Sequence, residues 1–157
     1  MTISIQNAIE YGYGVNDSST RLFGEIKNKR ILVLGGGELT TPITLAQGGA
    51  HVICVDPSAE RIAMTTAQAT ANTTRVECHQ GAFADLAFLR ADSIDIVFSA
   101  TVLDEVQDLD RVIRQCQRVL RKSSPMIMSL EHPIARMVEQ DEYVSSPGVL
   151  PLGTPRI

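Results

Sequence analysis

The sequence lacks the long apolar run that a membrane-spanning helix requires, because no hydrophobic stretch reaches about 18 uninterrupted residues. Its first residues, Met-Thr-Ile-Ser-Ile-Gln-Asn, also lack the basic region and apolar core of a secretory signal. We therefore expect a cytoplasmic protein that does not bind a membrane.

The sequence also lacks an excess of positive charge. It has 14 lysines and arginines against 18 acidic residues, which gives a formal net charge of -4. Surfaces that neutralise phosphates usually carry the opposite balance. We expect no nucleic-acid partner, and we interpret the basic residues between 111 and 122 as the solvated side of a helix.

Motifs for disulfides and for metal binding are absent as well. The three cysteines, Cys54, Cys78 and Cys116, are odd in number and form neither a CxxC motif nor a cysteine/histidine metal spacing. His51 and His79 have no partner at such a spacing either. We predict buried, reduced thiols and no metal site.

What is present is the composition of one globular domain, with 157 residues of which 44% are hydrophobic and 20% charged. From residue 30 onward, short apolar runs alternate with stretches of helical periodicity, which is typical of α/β proteins with a parallel sheet. We expect a Rossmann-like three-layer sandwich whose mostly parallel sheet has about five strands. The predicted strands are 30–34, 51–55, 75–79, 93–99 and 126–130, and the predicted helices are 41–47, 58–71, 85–89 and 108–120.

Local signals set the ends of these elements. Ser58 and Asp108 are predicted N-caps, and Pro133 is typical of the first turn of a further helix. Asp95 interrupts the otherwise apolar fourth strand. We divide the chain into an N-terminal helical or lid segment, a sheet domain and an irregular tail, covering 1–29, 30–143 and 144–157.

Three glycines follow the first predicted strand. Gly35, Gly36 and Gly37 allow positive φ angles and let a ligand approach without meeting a Cβ. Asp56 ends the next predicted strand, where a carboxylate can accept hydrogen bonds from both hydroxyls of a ribose. The two features together predict a nucleoside crevice.

The residues after the glycines disfavour a dinucleotide. Thr40 stands where a dinucleotide fingerprint requires a third small residue, and Glu38 would repel a pyrophosphate. We therefore expect an adenosine ligand that carries no phosphate. A nicotinamide-dependent enzyme is a further hypothesis, which the position of Asp56 fits but Thr40 does not.

Four segments resemble a known family. They are 22–37, Val55-Asp56-Pro57-Ser58, 93–100 and 118–122. In this order they are similar to the motifs of class I S-adenosylmethionine-dependent methyltransferases of the small-molecule type, and the resemblance extends from about Tyr11 to Pro133. It implies S-adenosylmethionine as cofactor, S-adenosylhomocysteine as product and a small-molecule methyl acceptor.

The resemblance also implies roles for individual residues. Asp56 would bind the ribose and Pro57 would flank the adenine. Tyr11 and Tyr13 would either close over the cofactor or pack against an N-terminal helix. Gly35 and Gly37 would line the methionine part, and Gly36 would also contact the cofactor. Ala82 and Phe83 would hold the edge of the adenine, and Ala100 would touch the sulfonium side.

Catalytic candidates follow the fourth and fifth strands. Asp104 and Glu105 stand where relatives place residues that face the acceptor, and His132 is our candidate general base because an imidazole titrates near neutral pH. The alternatives are a pair of acids that starts a helix and a histidine that is structural or solvated.

The sequence departs from the family at several points. Val33 replaces an acidic residue near the methionine ammonium, Leu39 replaces a glycine, and Ala82 replaces a residue that often binds the adenine amino group. The two strands that follow the fifth strand in the family have no counterpart here, so its apolar edge predicts a homodimer, a partner chain or a shortened member. The alternative function is a non-catalytic methyltransferase-like subunit or dimerisation partner with weakened cofactor binding.

Overall fold

The computed structural model describes residues 8–12, 15–37 and 40–131. Seven strands and four helices occur in these residues. They are β1 Glu10–Gly12, β2 Val15–Asn16, α1 Asp17–Thr20, β3 Arg30–Leu34, α2 Thr41–Gln47, β4 His51–Asp56, α3 Ala59–Ala71, β5 Val76–Gln80, β6 Ile96–Ala100, α4 Leu109–Val119 and β7 Met126–Ser129, with a 3-10 helix over Val102–Glu105.

The main sheet contains five parallel strands in the order β5-β4-β3-β6-β7. The chain moves outward from β3 to β4 and β5, and then crosses to β6 and β7 on the other side of β3. This reversal leaves a crevice beyond the carboxyl ends of β3 and β6, where open α/β sheets bind their ligands. The predicted α/β class and the five-stranded parallel sheet are confirmed.

The central strands β3, β4 and β6 are largely apolar runs because both faces of the sheet are covered there. Along β3, Leu32 and Leu34 point to a core that includes Val112 of α4, whereas Ile31 and Val33 point to a second core on the other face. All four side chains are buried. The period of two along a strand places successive residues in different cores.

Most predicted element bounds agree with the structure to within a few residues, and both predicted caps are confirmed. The Ser58 hydroxyl accepts a hydrogen bond from the Arg61 amide at 3.3 Å, and the Asp108 carboxylate accepts one from the Arg111 amide at 3.0 Å. These bonds satisfy amides at the helix starts that have no partner within the helix.

The predicted helix over 85–89 was wrong, because these residues form turns. Leu86 and Leu89 are buried, and their carbonyl oxygens accept hydrogen bonds from the Arg118 guanidinium at 2.7 and 2.9 Å. A side chain from α4 therefore donates to both carbonyls, and the Leu86 carbonyl oxygen also accepts a hydrogen bond from the Leu89 amide within the turn.

The predicted start of the fourth strand was also too early, because β6 begins at Ile96. Asp95 is engaged by side-chain contacts, since its carboxylate accepts hydrogen bonds from the Arg30 amide at 2.8 Å and from Arg121 at 2.6 Å. The basic residues between 111 and 122 are exposed, as predicted, and two of them, Arg118 and Arg121, also donate hydrogen bonds to protein oxygens.

The segment before β3 is not simply helical. Strands β1 and β2 pair antiparallel, and α1 is a single turn. The rings of Tyr11, Phe23 and Phe98 pack together with centroid distances of 5.2 to 6.1 Å. This cluster attaches the segment to the sheet. The helix expected at Pro133 and the tail over 144–157 lie outside the described residues.

Candidate active site

The glycine loop leaves the end of β3 in a conformation that favours glycine. Gly35 has a φ of 103° and Gly37 a φ of 99°. The loop is also tightly packed, because a Cβ at Gly35 would lie 2.7 Å from Cγ1 of Val102, and one at Gly36 would lie 2.7 Å from Oγ1 of Thr65. Side chains at these positions would displace their neighbours.

Asp56 joins the glycine loop to the start of α3. Its side chain is 0% exposed. One carboxylate oxygen, Oδ1, accepts a hydrogen bond from the Ser58 amide at 2.7 Å, and Oδ2 accepts one from the Gly36 amide at 2.8 Å. Charge-assisted bonds of this kind fix the carboxylate in one orientation at the carboxyl edge of the sheet.

Arg61 covers this carboxylate from the first turn of α3. Its Nε lies 2.9 Å from Oδ2 of Asp56, and its side chain is 45% exposed. Its Cγ and Cδ pass over Gly37, where a Cβ would lie 3.0 Å from each. We did not predict this residue, although an arginine one helical turn after a strand-ending aspartate is a signal that could have found it.

Two cavities open at this edge of the sheet. The first has a volume of about 570 Å³ and the second about 370 Å³. Both volumes fall in the range of small-molecule sites. Arg61 and Val102 line both cavities, so these two side chains stand at the boundary between them.

The structure distributes the predicted cofactor residues over the two cavities. Those expected at the methionine and sulfonium line the first cavity, and those expected at the adenine line the second, namely Gly35, Gly36, Gly37 and Ala100 in the first and Pro57, Ala82 and Phe83 in the second. Asp56 lies behind the boundary, under Arg61. The binding roles themselves stay predictions.

Tyr11 lies behind the wall of the first cavity. Its hydroxyl donates a hydrogen bond to the Asp17 carboxylate, and its ring packs against Phe98, which lines the cavity. Burial, and then the bond to Asp17, raises the pKa of Tyr11 to about 12. Its neighbour Gly12 lines the cavity itself. Tyr13 lies outside the described residues.

Asp104, in the 3-10 helix after β6, binds Glu131, the second residue after β7. Both of its carboxylate oxygens lie 3.1 Å from the Glu131 amide. The side chain of Glu105 and the whole of His132 lie outside the described residues. The catalytic roles of these three residues stay predictions.

The departures from the family pattern lie at the same cavities. Val33 lines the first cavity, and Ala82 lines the second, so neither position supplies a polar partner there. Leu39 lies outside the described residues. Thr101, which we also did not predict, lines the first cavity with a φ of 62°, an uncommon conformation for a β-branched residue.

Cys54 lies directly under the glycine loop. Its thiol is buried, with Sγ 3.5 Å from the Gly35 carbonyl oxygen, and burial raises its pKa to about 12. Cys116 is also buried, whereas Cys78 is only half-buried, and all three thiols are unpaired. In the part of the chain that the structure describes, no cluster of acids, histidines and cysteines could hold a metal ion, and no helix is long and apolar enough to cross a membrane.

Several known proteins are similar to this chain in sequence or in structure. A ubiquinone biosynthesis O-methyltransferase of Azorhizobium caulinodans is 30% identical over 132 residues, which cover 78% of this chain and 51% of that protein. An S-adenosylmethionine-dependent methyltransferase structure from Mesorhizobium loti is 27% identical with a TM-score of 0.65, covering 73% of this chain and 52% of that one. A Pyrococcus horikoshii structure shares the fold, with a TM-score of 0.67, 22% identity, and coverage of 76% of this chain and 57% of that one.

The chain spans about half the length of the curated relatives it matches. Residues 32–128, from β3 to β7, match the family described as methyltransferase domain, and the chain therefore belongs to this family.

Proposed function

We propose that this chain binds S-adenosylmethionine and acts as the cofactor-binding part of a methyltransferase whose substrate is a small molecule. The observation that carries the proposal is the buried Asp56 carboxylate, held by the Gly36 and Ser58 amides where the two cavities meet. The names of the relatives support the same activity.

The residues present fit this cofactor. Pro57, Ala82 and Phe83 offer the second cavity a largely apolar wall, which suits an adenine ring. The two backbone amides and Nε of Arg61 occupy three of about four lone-pair positions on the Asp56 carboxylate, so the ribose hydroxyls could use the fourth position and, in place of Arg61, the third. The glycine loop and Ala100 would lie beside the methionine part in the first cavity.

The cofactor would supply an electrophilic methyl group on a sulfonium, and the residues of this chain would hold it in line with the acceptor. Because the relatives are O-methyltransferases by name, a hydroxyl oxygen on a small molecule is the acceptor that we propose. His132 would remove the hydroxyl proton, and Asp104 and Glu105 would face the acceptor from the end of β6.

A second candidate is a non-catalytic methyltransferase-like subunit with weakened cofactor binding. It is favoured by the apolar Val33 and Ala82 in the two cavities and by the contact of Arg61 with Asp56. Cofactor binding without methyl transfer to any hydroxylated acceptor would support this candidate over the first.

We further propose that a second copy of the chain covers the free edge of β7, which pairs only with β6 in the described residues. Met128 and Leu130 are exposed there, and soluble proteins usually cover such edges. Light scattering that finds a monomer would contradict this.

We also propose a cytoplasmic location, which the three unpaired thiols favour because thiols persist in reducing compartments.

Calorimetric titration of the 157-residue chain with S-adenosylmethionine and S-adenosylhomocysteine tests the central proposal. We expect binding, and we expect Asp56→Asn to weaken it at least about tenfold because the ribose loses a charged acceptor. Asp95→Asn is the matched control, since the Asp95 carboxylate likewise accepts hydrogen bonds from the backbone and from an arginine but lies before β6. Absence of binding at millimolar ligand would overturn the proposal.

A further inference from the structure

We propose that Arg61 competes with the ribose for Asp56 and thereby sets the affinity and the ribose selectivity of the site. The inference rests on the proposed function, because it concerns the same nucleoside crevice. It goes further in assigning a specificity-determining role to a residue that approaches the carboxylate from the solvent side.

The hydrogen bonds of Asp56 provide the first argument. Oδ1 accepts from the Ser58 amide, whereas Oδ2 accepts from both the Gly36 amide and Nε of Arg61. Three of about four lone-pair positions are thus used, and only one remains for a ligand. A ribose diol needs two, so the second becomes available only when Arg61 moves away.

The burial of the two partners provides the second argument. The Asp56 carboxylate is 0% exposed and is held by the Gly36 and Ser58 amides. The Arg61 side chain is 45% exposed, so it can leave the carboxylate without disturbing the packed sheet. The arginine is therefore the partner that yields, and its departure would open the carboxylate to the crevice.

The position of Arg61 between the cavities provides the third argument. Its aliphatic stem covers Gly37, and Arg61 lines both cavities, as Val102 does. A ligand that spans from the adenine cavity to the glycine loop must pass this side chain. Movement of Arg61 would therefore join the two cavities and free the carboxylate in the same step.

A selectivity follows from this competition. A ligand with both ribose hydroxyls would replace the bond to Arg61 with two new hydrogen bonds, whereas a 2′,3′-dideoxy ligand could offer Asp56 nothing in exchange. The dideoxy ligand would bind with Arg61 in place. Removing the arginine should then strengthen binding of the ribose ligand and leave binding of the dideoxy ligand unchanged.

Calorimetry on wild type and Arg61→Gln, with S-adenosylhomocysteine, adenosine and 2′,3′-dideoxyadenosine, tests the inference. We expect the variant to bind the two ribose ligands about five- to tenfold more tightly, which is the scale of one partly exposed charge-assisted bond. Affinity for dideoxyadenosine should not change. Arg61→Lys, which keeps the charge but not the guanidinium, should fall between wild type and Arg61→Gln.

Arg121→Gln is the matched control, because Arg121 forms the equivalent pair with Asp95 at the opposite edge of the sheet. It should leave all three affinities unchanged, and circular dichroism should find the variants folded. Equal or weaker binding of S-adenosylhomocysteine by Arg61→Gln would overturn this inference and leave the proposed function intact. Absence of binding by both wild type and Arg61→Gln would overturn the proposed function and the inference with it.

Discussion

At the scale of single residues, the crevice depends on side chains that fix the glycine loop from below. Thr65 is the clearest case, with 0% exposure. Its hydroxyl accepts a hydrogen bond from the Gly37 amide and donates one to the Arg61 carbonyl oxygen, both at 3.0 Å. One hydroxyl therefore joins the glycine loop to α3, the helix that carries Arg61.

We expect Thr65→Val to lower the free energy of unfolding by about 2 kcal/mol, because it keeps the shape of the side chain but leaves the Gly37 amide without this acceptor. Urea denaturation provides the measurement. Thr66→Val is the control, since the Thr66 hydroxyl bonds the Ile62 carbonyl oxygen on the exposed side of the same helix. Equal losses in the two variants would show that the buried bond has no special role.

The sequence predicted part of this site and missed the rest for a physical reason. Gly35, Gly36, Gly37 and Asp56 were recognisable because each lies at the end of a strand with a clear apolar pattern. Arg61 and Thr65 act through side chains that reach across from a helix. Such contacts depend on the packing of α3 against the sheet, which the local pattern of residues does not specify.

At the scale of elements, apolar periodicity and caps predicted the strands and the long helices. The turns over 85–89 were the exception. Two leucines three residues apart fit a short helix, but both side chains enter the core and both carbonyls bind Arg118. A long-range contact from α4 thus overrode a weak local preference.

We expect Arg118→Met to lower the free energy of unfolding by about 1 to 2 kcal/mol, because two carbonyls lose a charged donor while the aliphatic stem remains. Hydrogen exchange of the amides near Leu86 and Leu89 should accelerate as well. Arg114→Met, at an exposed position of the same helix, should change neither quantity. Unchanged exchange in Arg118→Met would mean that the turns hold without this arginine.

At the scale of the whole molecule, the order of strands matters more than any single motif. Because β3 lies at the centre and the chain reverses beside it, the glycine loop, Asp56 and Ala100 end at one edge of the sheet. The four sequence segments that resemble methyltransferase motifs predicted the family of this chain. The match of residues 32–128 to the methyltransferase domain confirms that prediction. Both faces of the sheet are packed, so ionisable groups inside it affect the stability of the entire fold.

Two buried thiols make this stability depend on pH. Burial raises the pKa of Cys54 to about 12, with smaller contributions from Cys78 and Asp56, and burial alone raises that of Cys116 to about 11. A thiol in an unfolded chain has a pKa of about 8.5. Above that pH the unfolded chain releases protons that the folded protein retains, so the free energy of unfolding falls as pH rises.

We therefore expect full stability from these groups below about pH 8.5 and a progressive loss between about pH 8.5 and the folded pKa values, with a slope of up to about 1.4 kcal/mol per pH unit for each thiol. Urea denaturation at pH 8, 9 and 10 in the presence of a reductant measures the slope. The Cys54→Ala, Cys116→Ala double variant should be less stable at pH 8 but should show a flatter decline, because its remaining titrating groups are those common to both proteins. An identical slope in the two proteins would mean that these thiols ionise as readily in the folded state as in the unfolded chain, and that the core around β4 and α4 admits water.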